Sequence, residues 1–349
     1  MKKYFLGCLL LLLISGPAIV TSQIGGIGTY QFLNLPTSSR LTATAGYMPA
    51  IADHDIMQGL QNPALINAQM QGQLSVQHRF HLADISHSHV GYGLSIDTSM
   101  TVMINLQYLN YGEFIRADEL GNKGEAFNGG ETAITIGTSH RIDDRLRVGT
   151  NLKWVSSNLD AYRSTGLGGD IGLYYANSTK RQYWVLVLKN IGGQLSNDGI
   201  QKFSFPIDFQ IGYAKRLEHL PFRYSITAHD IQRWRLTYDS ELNGDRVINN
   251  SSNSSDNGSV IDNFFRHIAF SGELLLGAKE GFILRFGYDH QRNKELSVGG
   301  YRSFSGFSMG VGIKMKRFQF DYGFGRFHLA GSSHHLGVRF DMNRFFSKI

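Results

Sequence analysis

From Gly72 to the C-terminus, segment after segment of the chain alternates apolar with polar or small residues at a period of two. Successive side chains of a strand point to opposite faces, so each such run becomes a strand with one apolar and one polar face. Leu74, Val76 and Phe80 share one face, while Gln73, Ser75, Gln77, Arg79 and His81 share the other. The same division recurs in Phe222, Tyr224 and Ile226 against Arg223, Ser225 and Thr227, and in Phe282, Leu284 and Phe286 against Arg285, Gly287 and Asp289. Near the end it separates Phe318, Phe320, Tyr322 and Phe324 from Gln319, Asp321, Gly323 and Gly325, then Leu336, Val338 and Phe340 from Gly337, Arg339 and Asp341. Only 6 prolines interrupt 349 residues, which suits long ladders because proline cannot donate to one.

Alternation by itself also fits a soluble sandwich with one wet face. Two features favour a membrane barrel. The segments reach about ten residues, as a tilted membrane strand requires, where soluble strands average about five or six. Their centres fall near Val76, Tyr92, Ile104, Ile134, Leu152, Leu173, Val187, Phe209, Ile226, Phe270, Leu284, Met309, Phe320 and Val338. That is about 14 strands, an even number, as in bacterial single-chain barrels. The links are also sorted by parity. Short ones fall at Asp97-Thr98, Asp143-Asp144, 177–180, 218–220, 278–280 and Lys316-Arg317, and long ones between them at 110–129, 191–206, 233–263 and 291–303. A barrel whose first strand runs outward has short periplasmic turns and longer external loops, whereas a sandwich has no reason to sort them. The expected fold is all-β: an antiparallel transmembrane β-barrel of about 14 strands over residues 72–349. The polar stretch at 249–259, NNSSNSSDNGS, belongs to the longest outer loop and has nothing to bury. Tyr108, Trp154, Trp184 and Tyr213 stand where interfacial aromatic girdles are expected.

The compartment is written at the start. Lys2 and Lys3 precede an apolar run from Tyr4 to Ile14, and Gly16-Pro17 leads to Val20-Thr21-Ser22, the pattern of a secretory signal peptide over residues 1–22. The one cysteine, Cys8, lies inside that run, so there is no disulfide framework. Without Lys2 and Lys3 the formal charge falls from +6 to +4, too small a balance for a nucleic-acid footprint. No later apolar run approaches the roughly 18–20 residues of a membrane-spanning helix, so strands must do the spanning, in the outer membrane.

Residues 23–71 lack sustained alternation. They carry apolar clusters and turn signals, with Asn62 placed as a helix cap and Pro63 at the first helical position, where its missing N–H is harmless. Their exposed leucines and isoleucines need cover, which favours an N-terminal plug inside the barrel over a free periplasmic tail.

The stretch FLNLPTSSR, which contains Phe32, Leu33, Asn34, Leu35, Pro36 and Arg40, is followed by LTATAGYMPAIADHDIMQGLQNPALIN, with Asn62, Pro63 and Ala64 near its end. Together they resemble the opening of the outer-membrane barrels of the type IX secretion system of Bacteroidetes bacteria. QNPALIN is also similar to the Asn-Pro-Ala turn of the wider FadL-like fatty-acid-channel superfamily. After Arg40 the chain departs from the more regular Ala-Leu-Gly-Gly and reads Leu41-Thr42-Ala43-Thr44-Ala45-Gly46. The resemblance implies a plugged barrel without cofactor that serves the attachment complex, holding a PorZ-like surface protein beside the PorU sortase and PorV while cargo receives its lipopolysaccharide anchor. The alternative it implies is passage of hydrophobic small molecules. Apolar loop segments at 203–206 and Phe264-Phe265 suit either a greasy pocket or a docking patch.

Catalytic chemistry finds no footing. Gly306-Phe307-Ser308-Met309-Gly310 matches the G-x-S-x-G elbow, but that motif needs a sharp strand-to-helix turn, and here the alternation runs straight through it. His78, His81, His87 and His89 lie close together, and barrel closure brings His334 and His335 near them. No cysteine or tight carboxylate cluster completes a metal site with them, and they read as polar lumen or rim residues. Asp143-Asp144 reads as a turn rather than a catalytic pair. The lumen charges Arg79, Arg147, Lys153, Arg285, Asp289, Asp321 and Arg339 are mixed in sign, as in a salt-bridged, filled interior.

Overall fold

Every expected strand centre lies in an observed strand. The computed structural model describes residues 29–96, 100–117, 120–197, 204–234, 236, 256–277, 279–296, 304–328 and 331–343. The leader at 1–22, the Asp97-Thr98 link and residues 249–255 of the polar loop lie outside them. In chain order the strands are β1 (Gln73–Phe80), β2 (Ser86–Ser95), β3 (Thr101–Ala117), β4 (Lys123–Arg141), β5 (Leu146–Leu159), β6 (Tyr162–Asn177) and β7 (Gln182–Asn197). There follow β8 (Asp208–Arg216), β9 (Phe222–Ala228), β10 (Ile268–Leu276), β11 (Phe282–Asp289), β12 (Phe307–Lys314), β13 (Phe318–His328) and β14 (Gly331–Asp341). Each pairs with its sequence neighbours, and β14 returns to β1, with Val76 opposite Val338, to close a 14-stranded antiparallel barrel. Closure gives every strand two neighbours, so the barrel wall has no free edge strand among the described residues.

The wall has its polarity turned inside out relative to a soluble protein. Ser75, Gln77, Arg79, Asn105, Thr135, Lys153, Asp170, Gln210, Glu273 and Arg285 are buried in the interior, while Val76, Phe80, Ile104, Leu106, Ile136, Leu152, Phe286 and Phe320 are exposed. Tyr108, Trp154 and Trp184 also face outward. Only a hydrocarbon surround makes that arrangement favourable, since water would charge roughly 25 cal/mol for each Å² of the outer apolar surface.

Two expected loops are partly strand. Over 110–129, β3 and β4 continue pairing as a ribbon, with Phe114 opposite Phe127 and Ile115 opposite Ala126, past a register shift between Asn110 and Glu113. The Phe114 and Phe127 rings stack at 5.4 Å. Both faces of this ribbon are largely exposed and carry Glu113, Arg116, Lys123 and Glu125, so the apolar alternation that marks the wall is lost there. Likewise 191–197 extends β7 against β6. The loop at 233–263 contains the start of helix α2 (Asp256–Arg266), and the loop at 291–303 most of α3 (His290–Glu295).

Ahead of the wall stand α1 (Ser39–Ala43) and short 3-10 turns at Gln31–Asn34, Ile56–Leu60, Pro63–Leu65 and Ala68–Met70. Residues 30–70 occupy the lumen and pack in three apolar clusters. Tyr30, Phe32 and Leu33 meet Leu109, Ala133, Val155 and Phe205, while Leu41, Met48, Ile51 and Leu65 meet Tyr174, Val185 and Val187. Ile56, Met57, Leu60, Ile66 and Met70 surround Met103.

Candidate functional site: the inner segment and its seat

The FLNLP run forms the entry of the inner segment. Phe32 and Leu33 are buried in the first cluster, Leu35 packs at its margin, and Pro36 is buried beyond it. Asn34 accepts a hydrogen bond at 2.9 Å from the Nδ2 of Asn190, which also donates to the Pro206 carbonyl at 3.0 Å. Ser38 then caps α1, its Oγ accepting from the Leu41 N–H at 3.2 Å, which satisfies one of the donors a helix start leaves open. The one-turn helix is stitched to the wall from two sides. The Ser39 N–H and Oγ both donate to Gln77 Oε1, while Ser308 Oγ accepts from the Ala45 N–H at 2.8 Å and donates to the Ala43 carbonyl. Ser308, the serine of the G-x-S-x-G match, thus sits on an unbroken strand and holds the inner segment.

Arg40 ends the motif and carries the densest polar network. Its Nε and Nη2 each donate at 2.9 Å to the two oxygens of Glu273 on β10, and its Nη1 lies 2.8 Å from Asp53 and 3.5 Å from Asp55. Arg223 bridges Glu273 and Asp53, and Arg285 bridges Glu273 and Asp321 at 2.9 and 2.6 Å. Arg339 reaches Asp55 at 3.1 Å. Four guanidinium groups therefore face four carboxylates, with three of the eight groups supplied by the inner segment. Balanced pairing of this kind is what allows charge to be buried at all. Of the expected lumen charges, Arg285, Asp321 and Arg339 belong here, and Lys153 pairs separately with Asp170 at 2.7 Å. Asp289 caps α3 and pairs with Arg292, and Arg147 is only half-buried. Asp53, Asp55 and Glu273 escape sequence reading. Glu273 leaves one signal, the one charged residue at an inward position of its strand.

The Asn-Pro-Ala turn is seated on glycine. Asn62 Oδ1 accepts from the Ala64 N–H at 3.0 Å with Pro63 at the first position, the cap its residue types call for. Its Nδ2 donates to the carbonyls of Pro49 and Leu173, joining the inner segment to itself and to β6. A Cβ on Gly149 of β5 would lie 2.2 Å from the Pro63 carbonyl carbon, and one on Gly172 of β6 would lie 2.0 Å from Asn62 Oδ1. Only glycine lets the turn approach the wall this closely.

The histidines divide by face. His78 bonds Ser88 on the outward side, and His334 bonds the Tyr322 hydroxyl there. His87, His89 and His335 point inward around Arg79, whose register partners are His87 and His335. The His87 and His89 rings lie 4.3 Å apart. Thr42 meets His335 at 2.9 Å, and Gln107 links His87 to the Phe32 carbonyl, so this cluster also touches the inner segment. The buried Arg79 guanidinium has no hydrogen-bond partner among the described residues, and the Phe327 ring lies 5.9 Å from it. No group of three or more His, Cys, Asp or Glu side chains among the described residues is arranged to hold a metal ion.

At the short-link end the lumen opens into a cavity of about 650 Å³, lined by Arg40, Asp53, Arg216, Arg223, Lys314 and Arg339 among others. At the other end Phe205, which marks an expected apolar loop, is buried and meets Tyr30 edge-on at 5.1 Å. Phe203 lies outside the described residues. The motif residues thus occupy three separate seats along one inner segment.

No protein-family model matches the sequence, and no curated protein matches it. Among solved structures, the Ralstonia pickettii toluene transporter TbuX superposes with a TM-score of 0.53 at 10% identity, over 88% of this chain and 98% of that one. The Pseudomonas putida toluene transporter TodX gives 0.51 at 10% identity, over 86% and 96%. A Pseudomonas aeruginosa FadL homologue gives 0.49 at 9% identity, over 88% and 98%. At such identities the likeness is one of fold, and the chain is a closed 14-stranded antiparallel barrel similar in fold to TbuX and TodX.

Proposed function

We propose that this chain is an outer-membrane scaffold of the type IX secretion attachment complex, equivalent to PorQ, with residues 1–22 as its leader, 23–71 as its plug and 72–349 as its barrel. The observation that carries this reading is the Arg40 network: an inner segment is bonded to the wall by buried ion pairs, which suits a barrel that presents surfaces more than one that passes solutes. Of the motif residues that suggested the family, Arg40 belongs to that network, while Asn34 and Asn62 tie the same inner segment to the wall at two other places. In this role the outer loops hold a PorZ-like surface protein, with PorU and PorV in the same complex. No active site is required. A mild-detergent pull-down of the tagged protein from native outer membranes, read by mass spectrometry, tests it. Recovery of a large exported surface protein with sortase-type components is the expected result.

The likeness to TbuX and TodX favours a second reading, passage of hydrophobic small molecules. Uptake of toluene or a fatty acid into vesicles carrying the purified barrel, together with a pull-down that returns the barrel alone, would replace the scaffold with a transporter.

A further inference from the structure

Helix α2, in the outer connection between β9 and β10, carries its polarity the wrong way round for a helix in water. Val260, Ile261, Phe264 and Phe265 stand at 58, 59, 49 and 43% exposure. At about 100° per residue these four share one face, and Asp262, Asn263 and Arg266 share the opposite one. The polar face is the one held against the protein. Asn263 is buried, accepting from the Leu236 N–H at 3.1 Å and donating to the Trp234 carbonyl. Asp262 is gripped by Arg266 at 2.8 Å, by His290 of α3 at 3.0 Å and by Lys294 at 3.3 Å. A surface helix in water buries its apolar stripe, so the exposed face here is not built for water. The barrel wall shows the same inversion, and there it marks contact with lipid.

The two apolar surfaces are continuous. Phe265 meets the His290 ring edge-on at 6.1 Å, His290 bonds the Tyr288 hydroxyl at 3.0 Å, and Tyr288 packs on Phe307 at 4.7 Å. Tyr288 and Phe307 project from the outward faces of β11 and β12 at the long-loop rim, where Phe304 lies beside Phe307. We propose that α2 lies along the outer surface of the membrane, with Val260, Ile261, Phe264 and Phe265 set among the lipid acyl chains as an interfacial anchor. Lys294, which is partly exposed and reaches Asp262 at 3.3 Å, stands beside it as a cation for the headgroup layer. Amphipathic helices that bind membranes sink their apolar face about 5–10 Å into the headgroup–acyl boundary.

The full chain lends itself to a direct test, because its one cysteine, Cys8, lies ahead of the barrel. Ile261→Cys, labelled with a bimane fluorophore, is reconstituted into phosphatidylcholine vesicles with or without brominated acyl chains, with Glu125→Cys at the exposed ribbon as reference. Brominated lipid should quench the label at 261 at least twofold more than the label at 125, and aqueous iodide should do the reverse. Equal iodide quenching at the two positions overturns the proposal. Quenching by neither agent also overturns it, since a protein surface then covers the helix. Val260→Cys repeats the measurement should Ile261→Cys fail to fold.

Discussion

Arg40 and Glu273 stand 233 positions apart in the chain and meet through two parallel hydrogen bonds of 2.9 Å inside the barrel. The pair joins α1 to β10, and the fork of the guanidinium fixes orientation as well as distance. Its value lies in position more than in net energy, because a buried ion pair gains little over an apolar pair of the same shape. Breaking it is another matter.

Arg40→Ala leaves Asp53 and Asp55 without their shared cation, and loss of one partner of a buried pair costs about 3–5 kcal/mol. The transition at which the unheated, fast-migrating form on a gel is lost should therefore fall by several degrees. Arg40→Lys should recover only part of the loss, since a point charge cannot form the two-pronged contact. An unchanged transition in Arg40→Ala would remove the network from any account of how the inner segment is held.

Gly149→Val places side-chain carbon where the Pro63 carbonyl stands, 2.2 Å from the ideal Cβ. Overpacking costs about 1–3 kcal/mol where neighbours can shift, and more where backbone must. Gly193→Ala on β7 meets nothing within 4 Å and serves as the matched control. Protease cleavage within residues 60–67 should rise in the first variant and stay at its native level in the second.

Asn62→Ala removes the cap on the Asn-Pro-Ala turn, worth about 1 kcal/mol, together with the donors to the Pro49 and Leu173 carbonyls. Asn62→Asp keeps the acceptor and loses those donors. Thermal transitions ordered native, Asp variant, Ala variant are expected, and equal transitions for the two variants would assign the whole effect to the lost donors.

Partial burial acts to raise the pKa of Asp262, but hydrogen bonds from Arg266 and His290 outweigh it and hold the carboxyl at about 2. A carboxyl whose folded pKa is depressed adds stability above its unfolded pKa and loses it as pH falls through the folded value. The contribution of the Asp262 carboxylate to the contact between α2 and α3 should be fully present at pH 5 and lost between about pH 4 and 2. Amide exchange over 256–266, corrected for intrinsic rate, should speed up in that window. Asp262→Asn should abolish the pH step.

The wall was readable from the chain because alternation is local. Each of Val76, Phe286 and Phe320 declares its face through its two neighbours, and no distant residue is needed to say that the opposite face is polar. The Asn62 cap was readable for the same reason, since its acceptor and the Ala64 N–H are two positions apart. The mixed lumen charges announced a salt-bridged interior without naming its pairs. The ribbon of β3 and β4 was hidden because two solvated faces suppress the apolar period.

Which charges meet depends on barrel closure and on the path of the inner segment. Glu273 faces Arg40 only because α1 lies where its guanidinium reaches β10, and His335 joins Arg79 only because β14 returns to β1. Neither juxtaposition has a periodic signature, because each joins residues whose distance is set by the register of strands far apart in the chain. The inverted face of α2 belongs to the same class. Its apolar stripe is written in Val260, Ile261, Phe264 and Phe265, but the stripe alone points to a buried helix. It is the grip of the fold on Asp262 and Asn263 that turns those four residues outward.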